Sequence, residues 1–362
     1  MKTSHRFPGV SLEDSLHVPA TGVHIFSPTP PDILSFMRPL LLTVACSIAL
    51  CLLSACQSGA PTTASYTPES LHWSAAAPLN HARAAHAVVA TRDAIFALAG
   101  TSDAMGRPVA QVERFDGMRW QDETTLPGDG LNAPAAAVID DQIYLLGGFK
   151  TTTNVPTDEV HIYNTVTRRW SRGPSLPEPR GGHAAVVLSG RIHIIGGGNS
   201  RSTLALHSVL DPRTGRWVER APLPRATGSP AAVVRDGKLY CIGGRSGPSD
   251  FGDVFIYDEA NNAWTPGPSI VPRGTSGAVN LNDNIFVIGG ESQADAAVLS
   301  DVLQLAPGAV AWTTTTPMPT PRGFARAVVY RNSISVVGGS VEPQTSHAPR
   351  GTAVVERLDV MN

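Results

Sequence analysis

Arg180 to Trp217, RGGHAAVVLSGRIHIIGGGNSRSTLALHSVLDPRTGRW, decides the architecture. Two short apolar, β-branched runs, HAAVVL and RIHIIGG, flank Ser189-Gly190, the two-residue signal of a tight hairpin. A polar loop follows the glycines. A third run then ends LHSVLDP, a turn spans Asp211 to Gly215, and a tryptophan opens a fourth short strand. The stretch therefore predicts one small, twisted, four-stranded antiparallel sheet in meander order.

The rest of the chain is largely copies of this unit, and a fixed period is the strongest architectural signal in a single sequence. Glycine doublets close the second strand at Gly147-Gly148, Gly196-Gly197, Gly243-Gly244, Gly289-Gly290 and Gly338-Gly339, with Ala99-Gly100 as a degenerate first copy. All six tryptophans, Trp73, Trp120, Trp170, Trp217, Trp264 and Trp312, share one frame, spaced 47, 50, 47, 47 and 48 residues apart. Six residues after each stands an apolar anchor: Leu79, Leu126, Leu176, Leu223, Ile270 and Met318.

A glycine doublet after strand two, an apolar third strand and a Trp in strand four, at a period near 48, resemble the kelch repeat over about residues 71–360. The resemblance implies an all-β fold, a six-bladed β-propeller of four-stranded antiparallel blades. Glycine suits the doublet because it removes a side chain where blades approach and permits positive φ. The first recognisable piece is a fourth strand around Trp73, and the last, Thr352 to Val360, is a third strand with no Trp after it. The N-terminal strand is therefore expected to complete the last blade, leaving no open edge.

The first 36 residues are polar, Pro-rich and without periodicity, and are read as an extension ahead of the working start at Met37. Met37-Arg38 precedes LLLTVACSIALCLLSAC, which has the charged start, short apolar core and small-residue end of an export signal over residues 37–55. At 16 residues, Leu40 to Ala55 is short for a membrane span, which takes about 20. Leu53-Ser54-Ala55-Cys56 resembles the bacterial lipobox, which implies cleavage before Cys56 and its lipidation. Residues 56–70 read as a tether. The resemblance places the protein in the cell envelope, lipid-anchored, with Gln57 resembling outer-membrane sorting.

From Cys56 onward the chain carries 25 basic and 27 acidic residues, which gives no whole-molecule reason to expect nucleic acid. Cys46 and Cys51 fall in the signal, so no disulfide framework is available, and Cys241, in LYCIGG, reads as core packing. There is no Walker loop, nucleophile elbow, HExxH or paired CxxC, and no helix follows GGGNS to make it a phosphate cradle. No cofactor is indicated. His86 and His183, separated by a blade, lack metal-site spacing.

In a meander, the strand two–three loops and the blade-to-blade loops emerge on one face. The long ones run Thr101 to Val109, Phe149 to Thr157, Arg245 to Gly252, Glu291 to Ser300 and Ser340 to Gly351; the opposite face has only tight turns such as Asp140-Asp141, Ser189-Gly190 and Arg331-Asn332. Binding residues concentrate on loops held by rigid scaffolds. Sixteen residues before the doublet, at the head of each innermost strand, stand Arg83, Arg180, Arg273 and Arg322, while blades two and four carry Leu131 and Thr227 there and Arg225 lies two residues off. A ring of guanidiniums would offer bidentate donors to anionic groups, although such an arginine can also bond loop carbonyls. In some kelch propellers arginines in this place help bind an acidic peptide, which the resemblance carries to these four positions.

Enzymatic relatives give two further expectations. Copper radical oxidases related to galactose oxidase use a seven-bladed kelch domain and a Tyr–Cys crosslink, which six blades and a core-placed Cys241 do not match. Periplasmic sialic acid mutarotases are six-bladed, with a Glu after the strand-two glycine and an Arg six positions later. Glu291 fits the first, but Ala297 stands at the second. The sequence thus points to a monomeric envelope lipoprotein whose propeller binds a protein partner or an acidic glycan or peptide through Arg83, Arg180, Arg273, Arg322 and Arg245. The alternative is a sugar-acid mutarotase or epimerase with Glu291 as acid/base.

Overall fold

The computed structural model describes residues 66–360 except 68, 69, 104 and 344–348. The extension, the export signal, Cys56 and most of the tether lie outside the described residues. Among these residues there is no α-helix, and none long and apolar enough to cross a membrane. Among the described residues six four-stranded antiparallel sheets form the blades, and three two-stranded ribbons lie in the loops. Blade one runs Ala87–Ala90, Ile95–Leu98, Gln111–Phe115 and Trp120–Thr125; blade two, Ala135–Ile139, Gln142–Leu146, Val160–Asn164 and Arg169–Arg172; blade three, Ala184–Leu188, Arg191–Ile195, His207–Asp211 and Arg216–Glu219. Blade four comprises Ala231–Arg235, Lys238–Ile242, Val254–Asp258 and Ala263–Pro266, and blade five Gly277–Leu281, Asn284–Ile288, Val302–Leu305 and Thr313–Thr314.

Blade six combines both ends of the chain. Arg326–Tyr330, Ser333–Val337 and Val355–Val360 take Leu71–Ala75 as their outer strand, with Leu71 opposite Val360 and Ala75 opposite Glu356. The innermost strands neighbour one another in cyclic order, so the ring is closed. Its hold on the chain begins earlier than Leu71. Tyr66, assigned by sequence to the tether, stacks on Phe286 of blade five with ring centroids 6.2 Å apart, and its hydroxyl accepts from Asn282 Nδ2 at 2.7 Å.

The core is divided among the seams between blades. Six hydrophobic clusters form, each from the facing sides of two adjacent blades, and each contains one of the anchors that follow the tryptophans. Those anchors are all 8% exposed or less. Around the rim the indole N–H groups tie blade to blade: Trp73 donates to Thr316 O, Trp120 to Ala77 O, Trp217 to Pro174 O, Trp264 to Ala221 O and Trp312 to Pro268 O, at 2.7–3.1 Å. Each acceptor lies four residues after the preceding blade's tryptophan. Trp170 Nε1 lacks this partner, and the outer strand it would reach carries a register shift opposite Val112/Glu113.

The glycine doublet is the matching joint near the axis. Its second N–H donates to the next blade: Gly148 to Arg180 O, Gly197 to Thr227 O, Gly244 to Arg273 O, Gly290 to Arg322 O and Gly339 to Arg83 O, at 2.8–3.0 Å. A Cβ on the first glycine would stand 2.3–2.7 Å from that same carbonyl at Gly147, Gly196, Gly243, Gly289 and Gly338. Close approach and positive φ thus both exclude a side chain there.

Candidate functional site

The four repeated arginines sit at the heads of innermost strands, as their register requires, but their side chains turn into the blades and are 0–2% exposed. Arg83 donates to Ala99 O at 3.1 Å and Gln111 O at 3.0 Å, and pairs with Glu113 at 2.6 Å. Arg322 donates to Gly338 O and Val354 O and pairs with Glu356 at 2.6 Å. Arg273 reaches Gly289 O at 3.4 Å and Asp301 at 2.6 Å, and Arg180 reaches Ser208 Oγ at 3.3 Å. Each guanidinium therefore clamps the end of strand two or a side chain of strand three. Burial lowers the pKa of Arg83 and Arg322, while Glu113 and Glu356 beside them push it back up. Arg83, Arg180, Arg273 and Arg322 do not form a ring of donors facing a ligand, because their side chains are buried within the blades.

The two departures follow the same logic. In blade four Thr227 Oγ1 donates to Gly243 O at 3.1 Å in place of the arginine, and Arg225 pairs with the strand-three acid Asp253 at 2.5 Å. In blade two, where Leu131 stands, the strand-three acid Glu159 takes Lys150 and His161 instead.

The centre of the long-loop face is built from the residues that flank these arginines. Just after the arginine register, Ala85, Ala133, Gly182, Ser229, Thr275 and Phe324 all adopt positive φ, between 49° and 61°. Their backbones link across blades, Ala133 N–H to Ala85 O, Gly182 to Ala133, Ser229 to Gly182 and Thr275 to Ser229, at 2.6–3.1 Å. This collar narrows the axis. Five non-glycine residues in that conformation, each costing of order 1–3 kcal/mol, persist because their neighbours leave no other arrangement.

Outside the collar lies a cavity of about 270 Å³ lined by Asn132, Phe149, Thr203, Arg245, Gln293 and Phe324 among glycines. The residue after three of the doublets lies over the next blade, and glycine makes room for it. A Cβ on Gly181 would stand 2.3 Å from the Phe149 ring, one on Gly274 2.5 Å from Arg245 Nε, and one on Gly323 2.3 Å from Glu291 Cγ. Arg245 and Glu291 hold the same register in adjacent blades and meet at 2.6 Å. Arg245 also lies over the Phe324 ring at 5.6 Å, with Asp250 at 3.9 Å from its Nε. One cation between two carboxylates leaves this wall without excess positive charge, and puts aromatic faces beside amides, a hydroxyl and an ion pair.

Of the sequence candidates, the structure brings Arg245 and Glu291 together at the mouth. Phe149, Phe324, Asn132 and Gln293 were not singled out. Two were visible as aromatics at the collar register and after a doublet, positions held by small or polar residues in most copies. His86 and His183 pack where neighbouring doublets lack a side chain, His86 Cε1 2.9 Å from the Cβ position of Gly338 and His183 Cε1 3.1 Å from that of Gly147. Burial, then nearby arginines, holds His183 down to about 3 and His86 well below its usual value. Cys241 is buried in the seam between blades three and four, with its thiol pushed up to about 12 by burial.

A family model described as the KLHDC2/KLHL20/DRC7 Kelch-repeats domain matches residues 134–339. The chain is similar to Kelch-like protein terF of Aspergillus terreus (strain NIH 2624 / FGSC A1156), 26% identical over 290 residues, covering 73% of this chain and 62% of that protein. It is also similar to Kelch-like protein 22 of Rattus norvegicus, 35% identical over 111 residues, covering 30% of this chain and 17% of that protein. The match thus spans less than two thirds of these curated relatives. The solved structure of YjhT superposes with a TM-score of 0.66 at 17% identity, covering 80% of this chain and all of YjhT, a likeness of fold.

Proposed function

The chain belongs to the kelch-repeat domain family, and from that premise we propose that it is an interaction module that takes a segment of a protein partner at the mouth of its propeller. The observation that carries this reading is the 270 Å³ mouth cavity lined by Phe149, Phe324 and Arg245, whose guanidinium is held by the buried Glu291. Aromatic faces bury the apolar parts of a peptide, while Gln293 and Thr203 at the wall offer hydrogen bonds to its backbone. The charge balance of the wall favours a peptide of mixed polarity over an acidic glycan. We further propose that the module is exported and held at the cell envelope through a lipid on Cys56, which the sequence from Met37 to Cys56 supports.

The test pairs site and scaffold variants. Capture of partners from envelope extracts, followed by affinity measurement on the recovered partner, is expected to fail for Phe324→Ala, which keeps its melting temperature, and for Arg245→Met, assayed below the lowered melting point that loss of one member of the largely buried Arg245–Glu291 pair brings. Arg180→Ala is expected to lower stability, with affinity retained below its melting point. Affinity lost in Arg180→Ala but kept in Phe324→Ala would reverse the assignment. The sugar-acid mutarotase reading rests on Glu291 at the same mouth; it requires accelerated anomer exchange that disappears in Glu291→Gln. Palmitate labelling of the full chain, abolished by Cys56→Ala, checks the anchor.

A further inference from the structure

Beneath the collar, the axis of the ring is a second cavity of about 150 Å³, walled by the first residues of the innermost strands. In the register that opens the innermost strands five blades carry the smallest side chains, Ala87, Ala135, Ala184, Ala231 and Gly277. The sixth carries Arg326. Small residues are what six converging strands need, so a guanidinium there is a departure that packing does not ask for. Unlike Arg83, Arg273 and Arg322, Arg326 has no acid partner: Nε donates to His86 O at 2.9 Å, and among the described residues no carboxylate pairs with it. His183 lines the same cavity, and neither of its ring nitrogens has a hydrogen-bond partner, although the residue is only 4% exposed.

We propose that the channel holds a small anion, a halide or a carboxylate of formate size, against the Arg326 guanidinium, with His183 as the neighbouring polar wall. An ion held in a protein without a counter-charge costs free energy, and Arg326, part-buried at the channel wall, has no carboxylate on that wall to offset its charge. The group remains charged at neutral pH, since burial brings it only down to about 10. Water in liquid occupies about 30 Å³ per molecule, so the cavity takes a halide with a few waters. The flanking residues Ala87, Ala135, Ala136, Ala184, Ala232 and Ala327 supply no competing charge, so selectivity would rest on size and sign. This site is independent of the partner assigned to the mouth, which lies on the other side of the collar.

The experiment is thermal unfolding of the full chain in sodium chloride, sodium formate or sodium gluconate at matched ionic strength, with Arg326→Met alongside. A saturable rise of the melting temperature in chloride or formate relative to gluconate is expected for the wild type and not for Arg326→Met; which salt acts distinguishes halide from carboxylate. An equal rise in both proteins, or no rise in the wild type, would overturn the proposal. Crystals of the unmodified chain grown in sodium bromide give a second reading that does not depend on the variant folding. An anomalous peak beside Arg326 supports the site, whereas bromide peaks confined to the outer surface refute it.

Discussion

Glu113→Gln separates a scaffold role for the repeated arginines from a ligand-binding one. Glu113 and Arg83 are fully buried and meet at 2.6 Å, and Glu113 also accepts the backbone N–H groups of Asn80 at 2.6 Å and His81 at 3.3 Å. An amide of the same shape supplies one acceptor where two carboxylate oxygens receive three donors, and turns its own NH2 toward another donor. Removing one member of a buried pair leaves an uncompensated charge and costs about 3–5 kcal/mol. For a folded unit of about 300 residues, unfolding entropy of roughly 2.1 cal/mol/K per residue gives about 0.6 kcal/mol/K, so the melting temperature should fall by about 5–8 °C. Asp253→Ala removes the partner of Arg225 in a pair whose side chains are 50% and 35% exposed, and should cost at most about 1 kcal/mol, or under ~2 °C. Arg83→Met/Glu113→Leu, which removes both charges, should recover much of the loss, because the pair is coupled. Scanning calorimetry at pH 7 reads all four proteins. Equal small losses for Glu113→Gln and Asp253→Ala would refute the clamp.

Other outcomes follow from the same structure. His86, His183, His193 and His207 are buried and neutral, with His193 held down to about 4 and His207 to about 3 by burial, whereas in the unfolded chain each protonates near 6.5. The unfolded state therefore binds more protons between those values, so this stability is complete above pH 6.5 and is lost as pH falls, by ~2 kcal/mol per histidine at pH 5; His207→Phe should flatten the melting temperature against pH between 7 and 5. Gly290→Ala, at φ 109° with a Cβ 2.3 Å from Ser276 Oγ, should shift the urea midpoint far more than Gly215→Ala, at φ 68° with open space around it. Tyr66→Ala, which removes the Phe286 stack and the Asn282 hydrogen bond, should cost about 1–3 kcal/mol by chemical denaturation.

Most of the architecture was legible because its signals repeat. Tryptophans, anchors and doublets each make the same contact at successive seams, so period alone located the blades and the closure. The arginines were misplaced for a physical reason: register gives the position of a Cα, not the direction of a long side chain. The corrective signal was present in Glu113, Asp253, Asp301 and Glu356, acids in or just before strand three that lie 28 to 34 residues beyond Arg83, Arg225, Arg273 and Arg322. Arg326 escaped notice because it is not repeated; it stands out only when the six innermost strands are aligned and five prove small. The meeting of Arg245 with Glu291 depends on the lateral contact of two blades, and no spacing within one repeat encodes that.

The shared last blade also determines how the protein bears load. A pull on the chain ahead of Leu71 acts at one end of an antiparallel pair, on the Leu71–Val360 contact, so the outer strand would unzip bond by bond without the resistance of a shear. Tyr66 stands in front of that seam with its ring against Phe286. Tension therefore has to lift an aromatic side chain out of blade five before it reaches the first strand pair, and the ring is shielded by a latch that belongs to a different blade.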